Sequence, residues 1–434
     1  MMKEKVMADT LTAEDERYAE MFDTSKQDAN QGVESRDYTD ALNALRERGS
    51  VLKGSPRQLL GLPEIDEAHF NGPKRESWTV TSYHACERAF RENLVFSSAV
   101  MKESAGIQMI GKTILEMVGP EHRRYRAVGQ PLFLRPRVLD WWKRRWIDEA
   151  ADTLLDRLEG REAADLNLDL CARMPMYVVT RAIGLEGADA LEFRKHLNDS
   201  TFGAHGVSKE QAAHSRAEVD RIMNELIDDR RANGGDDVIT GLLENDLKLP
   251  DGTTRKLTNE EIFSYCKLII FAGGGTTWRQ LGITIDALLT HRRFWEECKE
   301  DRELIELAID EALRWRPTDP IFPRLTTEDV EVEGVTIPEG VRVQICLGSG
   351  NRDPKVFDRP DEFDIHRRKQ HHLGLGLGPH RCLGMDVAKQ EMVAAISGLM
   401  DRWPNLKLDP SKPTPVFVGL DHRGMSTVPV VLQK

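Results

Sequence analysis

The chain has 434 residues, and its 60 lysines and arginines against 72 aspartates and glutamates give a net charge of −12 at pH 7. A chain of this length and of ordinary composition, 40% hydrophobic and 30% charged, encloses a large core, which excludes the collagen-like and disordered classes. The acidic balance argues against nucleic-acid binding, and the lack of a signal peptide or a long apolar run predicts a cytoplasmic protein with no membrane anchor.

The N-terminal half of the chain reads as a polar arm followed by a largely helical domain. Residues 1–35 are polar and weakly periodic, and we expect an arm that precedes one domain over 36–434. The alternation from residue 78 to 83 predicts a short strand with a helix after it. Residues 104–122 are punctuated by glycine, which indicates a loop with a helical turn or two, and the pattern is then almost wholly helical to about 243.

The best-defined helix begins at Thr258, because Thr258 and Glu261 form a capping box that satisfies free amide groups of the first turn. Apolar residues follow so densely that this helix is expected to be buried on most of its circumference and to extend to about residue 290. A second firm helix ends before Pro317, since proline disfavours a helical residue in front of it.

Beyond Pro317 the pattern changes to short strands and turns. Residues 327–348 alternate in hydrophobicity around a glycine and a Pro-Glu-Gly turn, which is typical of a hairpin. A glycine loop then enters a helix over about 385–403, and the chain closes with a strand pair around 415–432. The predicted fold class is therefore mainly α with a small β portion towards the C-terminal end.

The glycine loop, 372-HLGLGLGPHRCLG-384, is the segment most indicative of chemistry. Its glycines and Pro379 bend the backbone tightly around Cys382, and a helix starts just after that cysteine. The helix dipole and backbone amides favour a thiolate there, as a metal ligand or a nucleophile. Two alternatives stay open at this point: a buried structural cysteine, and a zinc site formed with His371, His372 and His380. The other five cysteines are scattered without a CxxC pair, as expected in a reducing compartment.

The segment from Leu375 to Gly384 resembles the haem-binding loop of the cytochrome P-450 superfamily, F-G-x-G-x-H/R-x-C-x-G, with Leu375 in place of the phenylalanine. The resemblance implies that Cys382 is the axial thiolate ligand of a haem iron. It also implies that Gly376, His380 and Gly384 lie against the cofactor.

A second resemblance lies upstream in Glu311-Ala312-Leu313-Arg314, which is similar to the superfamily's ExxR signature. A carboxylate and a guanidinium three residues apart share one helix face and can pair. The resemblance implies that Glu311 and Arg314 are a buried structural brace beneath the haem loop. An arginine of a PxRF segment often joins this brace, but the chain has Glu362 at that place.

The capped helix contains Ala272-Gly273-Gly274-Gly275-Thr276-Thr277, which resembles the oxygen-binding stretch A/G-G-x-D/E-T-T of the same superfamily. Consecutive glycines cost about 1 kcal/mol each in a helix interior, so we expect a flat ligand to approach closely and the helix to open locally. The resemblance implies that Ala272 and Gly273 lie beside the haem. It further implies that Thr276, flanked by Thr277, delivers protons, and Gly275 occupies the place of the usual acid.

A fourth segment, 119-GPEHRRYR-126, resembles the superfamily's C-helix motif. His122 and Arg126 lie one helical turn apart and can face the same anion; the resemblance implies contacts to the haem propionates. Arg324, His380 and His372 match further propionate contacts. For any one of them alone, a solvated surface charge is the simpler interpretation.

Together the four segments imply a cytochrome P-450 fold, a single domain around a buried haem b. The implied activity is a monooxygenase that inserts one atom of O2 into a hydrophobic small molecule, by hydroxylation or O-dealkylation. Electrons would come from a separate 2Fe-2S-type ferredoxin and its reductase. The alternatives are a haem-thiolate enzyme that uses peroxide or rearranges its substrate, and a non-catalytic haem-binding module.

Position within the superfamily also implies the partner surface and the pocket. Residues 122–145 hold eight lysines and arginines and a single acid, Asp140, and this basic stretch together with Arg381 is where a ferredoxin would dock. The implied substrate pocket is apolar, and its wall comprises Met109, Ile110, Ile114, Ile321, Phe322, Val416, Phe417 and Val418.

Overall fold

The computed structural model of the chain describes Ala19 and residues 22–64, 72–197, 199–200 and 208–433. Helices dominate these residues. The α-helices are α1 (Thr24–Asn30), α2 (Thr39–Arg48), α3 (Pro56–Leu59), α4 (Tyr83–Arg91), α5 (Ala105–Ile110), α6 (Gly119–Gly129), α7 (Arg135–Arg137), α8 (Asp148–Asp156), α9 (Met174–Ala182), α10 (Gly187–Leu197), α11 (Lys209–Asn233), α12 (Val238–Glu244), α13 (Asn259–Thr290), α14 (Arg292–Glu300), α15 (Leu304–Trp315), α16 (Leu347–Gly350) and α17 (Met385–Arg402). Within the described part of the chain, no helix is both long and apolar enough to cross a membrane.

Helix α13 is the central element of the fold. Its capping box forms as the sequence predicts: Thr258 accepts from the Glu261 amide, and the Glu261 side chain accepts from the Thr258 amide. Helices α9, α11, α15 and α17 pack around it, and from Trp278 to Leu289 every residue of α13 is buried. An apolar helix buried on all sides fixes the position of whatever its middle turns hold.

The strands are short and form two sheets and three two-stranded pairs. They are β1 (Val51–Lys53), β2 (Ser77–Val80), β3 (Phe96–Ser97), β4 (Ala163–Asp165), β5 (Leu247–Lys248), β6 (Thr254–Arg255), β7 (Phe322–Thr326), β8 (Val330–Val332), β9 (Val335–Ile337), β10 (Arg342–Ile345), β11 (Lys407–Leu408), β12 (Phe417–Val418), β13 (Gly424–Met425) and β14 (Pro429–Val431). One sheet has the order β1-β2-β10-β7-β3, in which the β2–β10 pairing alone is parallel, and a second has the order β11-β14-β4. The pairs β5–β6, β8–β9 and β12–β13 are antiparallel.

The predicted hairpin around Gly334 is confirmed as β8–β9, and the strand at residue 78 is confirmed as β2. The C-terminal strand pair is divided: β12 pairs with β13, whereas β14 pairs with β4 and β11 in another sheet. These small sheets flank the helical core, so the chain forms the mainly helical fold with a small β portion that its sequence predicts.

The polar segment that precedes residue 36 packs against the rest of the chain over its described part. In α1 the side chains of Thr24 and Asp28 are buried, and Val33 is buried after it. Asp23 caps the helix by accepting from the amides of Ser25 and Lys26. Residues 1–18 lie outside the described residues.

Candidate cofactor and substrate site

The glycine loop turns sharply just before α17. Gly376 and Gly378 have φ values of +65° and +70°, which other residues rarely adopt. A Cβ at Gly378 would lie 2.8 Å from the carbonyl oxygen of Phe90 in α4, so the loop packs directly on that helix. The Cys382 amide donates to the Leu375 carbonyl oxygen at 2.9 Å, which closes the loop and places the thiol at the N-terminal end of α17.

Cys382 differs from the other cysteines in its surroundings. It is exposed, whereas the other five are buried. Burial nevertheless raises the pKa of its thiol, and the Gly384 amide and the guanidinium groups of Arg126 and Arg381 act in the opposite direction. The Cys382 side chain is thus exposed, although the surrounding protein desolvates its thiol. Such a thiol is accessible to a ligand.

Four nitrogen-bearing side chains converge near this loop. His122 is 1% exposed and stacks on His380 with 3.9 Å between ring centroids. Among the described residues, neither ring nitrogen of His122 has a hydrogen-bond partner, and Arg324, 4% exposed, leaves its Nε without one. Arg126 reaches the same area, where its Nη2 donates to the Arg381 carbonyl oxygen at 2.7 Å.

The lowered pKa values of these side chains show that the cluster would favour an anionic ligand. Burial lowers the pKa of His122 to about 4 and, with further effects of His122, Arg324 and Arg126, that of His380 to about 3. Burial also lowers the pKa of Arg324 to about 10. Unpartnered buried donors and a desolvated guanidinium are costly unless a charge of opposite sign joins them. The chemistry of the cluster fits the carboxylates of a bound group.

His372 lies apart from this cluster. Its Nε2 faces Asp310 Oδ1 at 3.4 Å, and its Nδ1 accepts from the Gly374 amide at 3.1 Å. Both ring nitrogens of His372 thus have protein partners, and its contact with a propionate stays a prediction. A zinc site at the loop receives no support either, because the described residues contain no group of three His, Cys, Asp or Glu side chains arranged to hold a metal ion.

The pair in α15 forms a buried brace. Arg314 donates to both carboxylate oxygens of Glu311, at 2.7 and 2.8 Å, and the two side chains are 2% and 6% exposed. The third partner is Arg367, whose Nε donates to Glu311 Oε1 at 3.1 Å. Glu362, the residue at the expected place, contributes its carbonyl oxygen to both arginines, at 2.9 Å each. The sequence analysis missed Arg367 because no local pattern connects it with α15.

The brace supports the glycine loop through backbone contacts. Arg314 Nη1 donates to the Asn351 carbonyl oxygen at 3.1 Å, and Asn351 Oδ1 accepts from the Leu373 amide at 2.7 Å. A Cβ at Gly374 would lie 2.5 Å from the Leu313 carbonyl oxygen. The loop therefore rests directly on the end of α15, and the position of Cys382 depends on this contact.

The glycine stretch of α13 does not open the helix, contrary to the prediction. Helix α13 continues unbroken from Asn259 to Thr290. Cβ atoms at Gly273 and Gly274 would lie 3.4 Å from Val179 and 2.8 Å from the Met176 sulfur, so a side chain at either position would meet α9. A Cβ at Gly275 would meet nothing within 4 Å.

The residues around Gly275 line an open space. Phe271 is 38% exposed and Ala272 is exposed, although they lie midway along the otherwise buried α13. Thr276 is half-buried and donates its hydroxyl to the Ala272 carbonyl oxygen at 2.9 Å, whereas Thr277 is buried. Exposed side chains in the middle of a packed helix border space that the other elements leave open, and Phe271 is one that the sequence analysis did not name.

The predicted pocket wall is apolar and only partly open. Ile110, Ile114, Phe417 and Val418 are buried, Ile321 and Phe322 are half-buried, and Val416 is 49% exposed. The side chain of Met109 lies outside the described residues.

Half of the eight cations of the basic stretch have carboxylate partners among the described residues. Four of them lie within 4 Å of an acid, in the pairs Arg135–Glu306, Lys143–Asp148, Arg144–Asp140 and Arg145–Asp236. In the described residues, Arg123, Arg124 and Arg381 have no such partner. The positive surface is therefore smaller than the sequence predicts.

Comparison with known proteins adds the family. The sequence model of the cytochrome P-450 family matches residues 197–418, just over half of the chain. Pentalenic acid synthase of Streptomyces avermitilis is 30% identical over 366 residues, which cover 82% of this chain and 88% of that protein. Nocardicin C N-oxygenase of Nocardia uniformis is 32% identical, covering 68% of this chain and 73% of that protein. Among solved structures, the bacillaene polyketide synthase cytochrome P-450 PksS of Bacillus subtilis 168 aligns with a TM-score of 0.77 at 26% identity, covering 92% of this chain and 97% of that one.

Proposed function

Because this chain belongs to the cytochrome P-450 family, we propose that Cys382 is the thiolate ligand of its haem b and that the chain oxidises a hydrophobic small molecule. Members of the family are monooxygenases that bind haem b and use O2. The observation that carries the proposal is the exposed thiol of Cys382 at a loop held by α4 and α15. When bound, the haem supplies the redox chemistry, and the thiolate favours cleavage of the O–O bond.

The cluster of His122, Arg126, Arg324 and His380 would hold the two haem propionates. The hydroxyl proton of Ser98 points to the Met117 carbonyl oxygen at 3.0 Å, so His380 Nε2–H donates to Ser98 at 3.2 Å. That bond fixes the His380 ring. A carboxylate placed among these side chains would raise the pKa of both histidines, since an opposite charge favours the protonated imidazole.

Thr276 would hold the proton needed for oxygen activation. Its hydroxyl lies at the exposed side of α13 and can exchange its bond to Ala272 for a bond to water. Gly275 supplies no carboxylate and leaves space beside Thr276. We therefore assign proton delivery to water molecules in this space. Thr276→Ala is expected to consume O2 without forming product in proportion, and unchanged coupling would contradict this role.

A second function is favoured by Gly275 in particular. Hydrogen peroxide already carries the protons that activation of O2 requires. An enzyme that takes its oxygen from peroxide therefore needs no acid next to its threonine. In that case turnover with peroxide would exceed turnover with O2, NAD(P)H, ferredoxin and reductase. Gly275→Asp separates the two functions, because a restored relay should raise only the O2-dependent rate.

The substrate proposal is an apolar small molecule of terpenoid or polyketide type. Phe271, Ile110, Ile114 and Phe417 offer aliphatic and aromatic surface. The similar proteins include pentalenic acid synthase and the bacillaene polyketide synthase cytochrome P-450 PksS. Hydroxylation and O-dealkylation are both consistent with such a pocket. Terpenoids, polyketides, aromatic compounds and alkyl acids can be screened one by one for a shift of the Soret band. A shift with the first two classes alone would support the proposal.

The electron donor that we propose is a 2Fe-2S ferredoxin with a separate reductase. Its acidic surface would meet Arg123, Arg124 and Arg381, three cations for which the described residues show no carboxylate partner. Reversing the charge of Arg123 and Arg124 should slow reduction by ferredoxin and weaken its salt dependence, because steering depends on these charges. Arg144→Glu is the comparison variant within the same stretch: Arg144 pairs with Asp140 at 3.4 Å, so its reversal should slow reduction less. Equal rates in all variants would exclude this docking site.

One spectrum tests the core of the proposal. The reduced carbon monoxide complex should show the red-shifted Soret band of thiolate ligation, and Cys382→Ala should abolish that band. Cys298→Ala, at a buried cysteine of α14, should retain it. If the band persisted in Cys382→Ala, the assignment of the ligand would be wrong.

A further inference from the structure

The N-terminal segment that carries α1 is bound to the walls of the proposed pocket. We call residues 22–38 the strap. Asp28 and Tyr38 are 3% and 1% exposed, so the strap is embedded rather than laid on the surface. Burial raises the pKa of Asp28 to about 6, which Ser35 and Arg279 partly oppose, and this shift agrees with a desolvated position.

The strap touches α13 directly after its proposed catalytic turn. The Phe22 ring packs edge-on against Trp278, with 5.0 Å between centroids and 88° between planes. Gln27 accepts a hydrogen bond from Arg279 through its side-chain oxygen. Trp278 and Arg279 follow Thr276 by two and three residues, so the strap fixes the same turn of helix that carries the threonine.

The strap also pairs with the turn that joins β12 and β13. The Gly419 amide donates to the Arg36 carbonyl oxygen at 3.1 Å, and Asp37 forms a parallel bridge with Gly419. Gly419 has a φ of +102°, and a Cβ there would lie 2.3 Å from the His422 carbonyl oxygen, so this turn is tightly wound. The turn follows directly on Phe417 and Val418 of the proposed pocket wall.

Two buried arginines connect the strap with this turn. Arg57, 4% exposed, donates to the Gln31 carbonyl oxygen at 2.9 Å and to Asp421 at 3.1 Å. Arg423, 1% exposed, donates to Asp37 at 3.2 Å. Arg57 therefore bridges the two segments through one partner on each side, and Arg423 binds the strap from the turn itself.

The same network reaches the wall segment in front of Pro320. Thr318 and Arg423 exchange two hydrogen bonds of 2.7 Å, and His422 contacts Asp319 at 2.9 Å. The Thr318 amide donates to Gln280 Oε1 of α13 at 3.2 Å. The strap, the β12–β13 turn, the segment before Pro320 and α13 therefore form one connected unit.

We propose that the strap is a specificity-determining element that sets the shape of the substrate pocket by holding the β12–β13 turn and the segment 318–320 against α13. The inference rests on the proposed function, because it takes these segments as pocket walls. Phe22 and Gln27 are positioning residues, since they act through Trp278 and Arg279 and not on the substrate. Weakening their contacts should change which ligands fit without changing the haem environment.

The test uses two haem ligands of different size and the full chain loaded with haem. Imidazole is a small ligand that should make little contact with the pocket walls. Econazole is a large apolar ligand that should contact them. Dissociation constants are measured by difference spectra for Phe22→Ala, Gln27→Ala and the double variant. Glu34→Ala is the matched control, because Glu34 lies in the strap with its side chain 83% exposed.

We expect the ratio of the econazole to the imidazole dissociation constant to change at least fivefold in the double variant, and to stay within twofold of the original in Glu34→Ala. The reduced carbon monoxide spectrum should be unaltered. An unchanged ratio in haem-loaded variants, or equal shifts for both ligands, would overturn the proposal. Phe22→Leu keeps an apolar contact and covers the case in which Phe22→Ala fails to fold. A failure of the proposed function is distinguishable, since the original chain would then lack the thiolate spectrum.

Discussion

Replacing Arg367 by alanine removes the third member of the buried brace. Arg367 gives Glu311 one hydrogen bond of 3.1 Å and binds the carbonyl oxygens of Arg359 and Glu362 at 3.0 and 2.9 Å. Its side chain is 11% exposed, so water replaces these contacts poorly. Leaving a buried charge without a partner costs about 3–5 kcal/mol.

The magnitude depends on what Glu311 keeps. In Arg367→Ala, Glu311 retains both bonds to Arg314 and the amide of Asp364 at 3.0 Å. We therefore expect a loss of about 2 kcal/mol in the free energy of unfolding, below the full cost of an orphaned charge. Arg314→Ala removes the bidentate partner and should cost about 3–5 kcal/mol.

Urea unfolding of the haem-loaded chain, followed by circular dichroism, measures these losses through the shift of the midpoint at constant slope. Arg368→Ala is the matched control, because Arg368 is the exposed neighbour of Arg367, and exposed substitutions usually change stability by less than about 0.5 kcal/mol. The order of loss should be Arg314, Arg367, Arg368. If Arg367→Ala and Arg368→Ala unfolded at the same urea concentration, Arg367 would not belong to the brace.

Three further predictions follow from backbone and burial. Gly378→Ala should destabilise the chain and reduce haem uptake more than Gly334→Ala, since both have positive φ but only Gly378 has a backbone atom within 3 Å of the new Cβ; equal midpoints would contradict the close packing. Gly274→Ala should destabilise through its contact with α9, whereas Gly275→Ala should gain about 1 kcal/mol of helix propensity, and thermal unfolding compares the two. Burial raises the pKa of Glu391 to about 8; the folded chain then keeps a proton that the unfolded chain releases, so stability should fall by about 1.4 kcal/mol per pH unit between roughly 4.5 and 8. Glu391→Gln should reduce that slope of the urea midpoint against pH, and an unchanged slope would refute the assignment.

Features that depend on near neighbours in the chain could be predicted from the amino-acid sequence. The capping box of α13, the pairing of Glu311 with Arg314 and the reversal of the chain before Cys382 follow from offsets of three residues or from glycine at positive φ. Helix periodicity likewise predicted the mainly helical fold, and the alternation of polar and apolar residues predicted β2 and β8–β9. Such features are local because a helix turn or a tight loop brings only close neighbours into contact.

Contacts between side chains that are distant in the sequence became known only from the tertiary structure. Arg367 joins Glu311 across 56 residues of chain, and Arg36 meets Gly419 at the other end of the domain. His372 faces Asp310 instead of the cluster around His122, and Arg135 and Arg145 of the basic stretch pair with the distant acids Glu306 and Asp236. No spacing rule predicts these contacts, because the packing of α13, α15 and the small sheets around one core sets them.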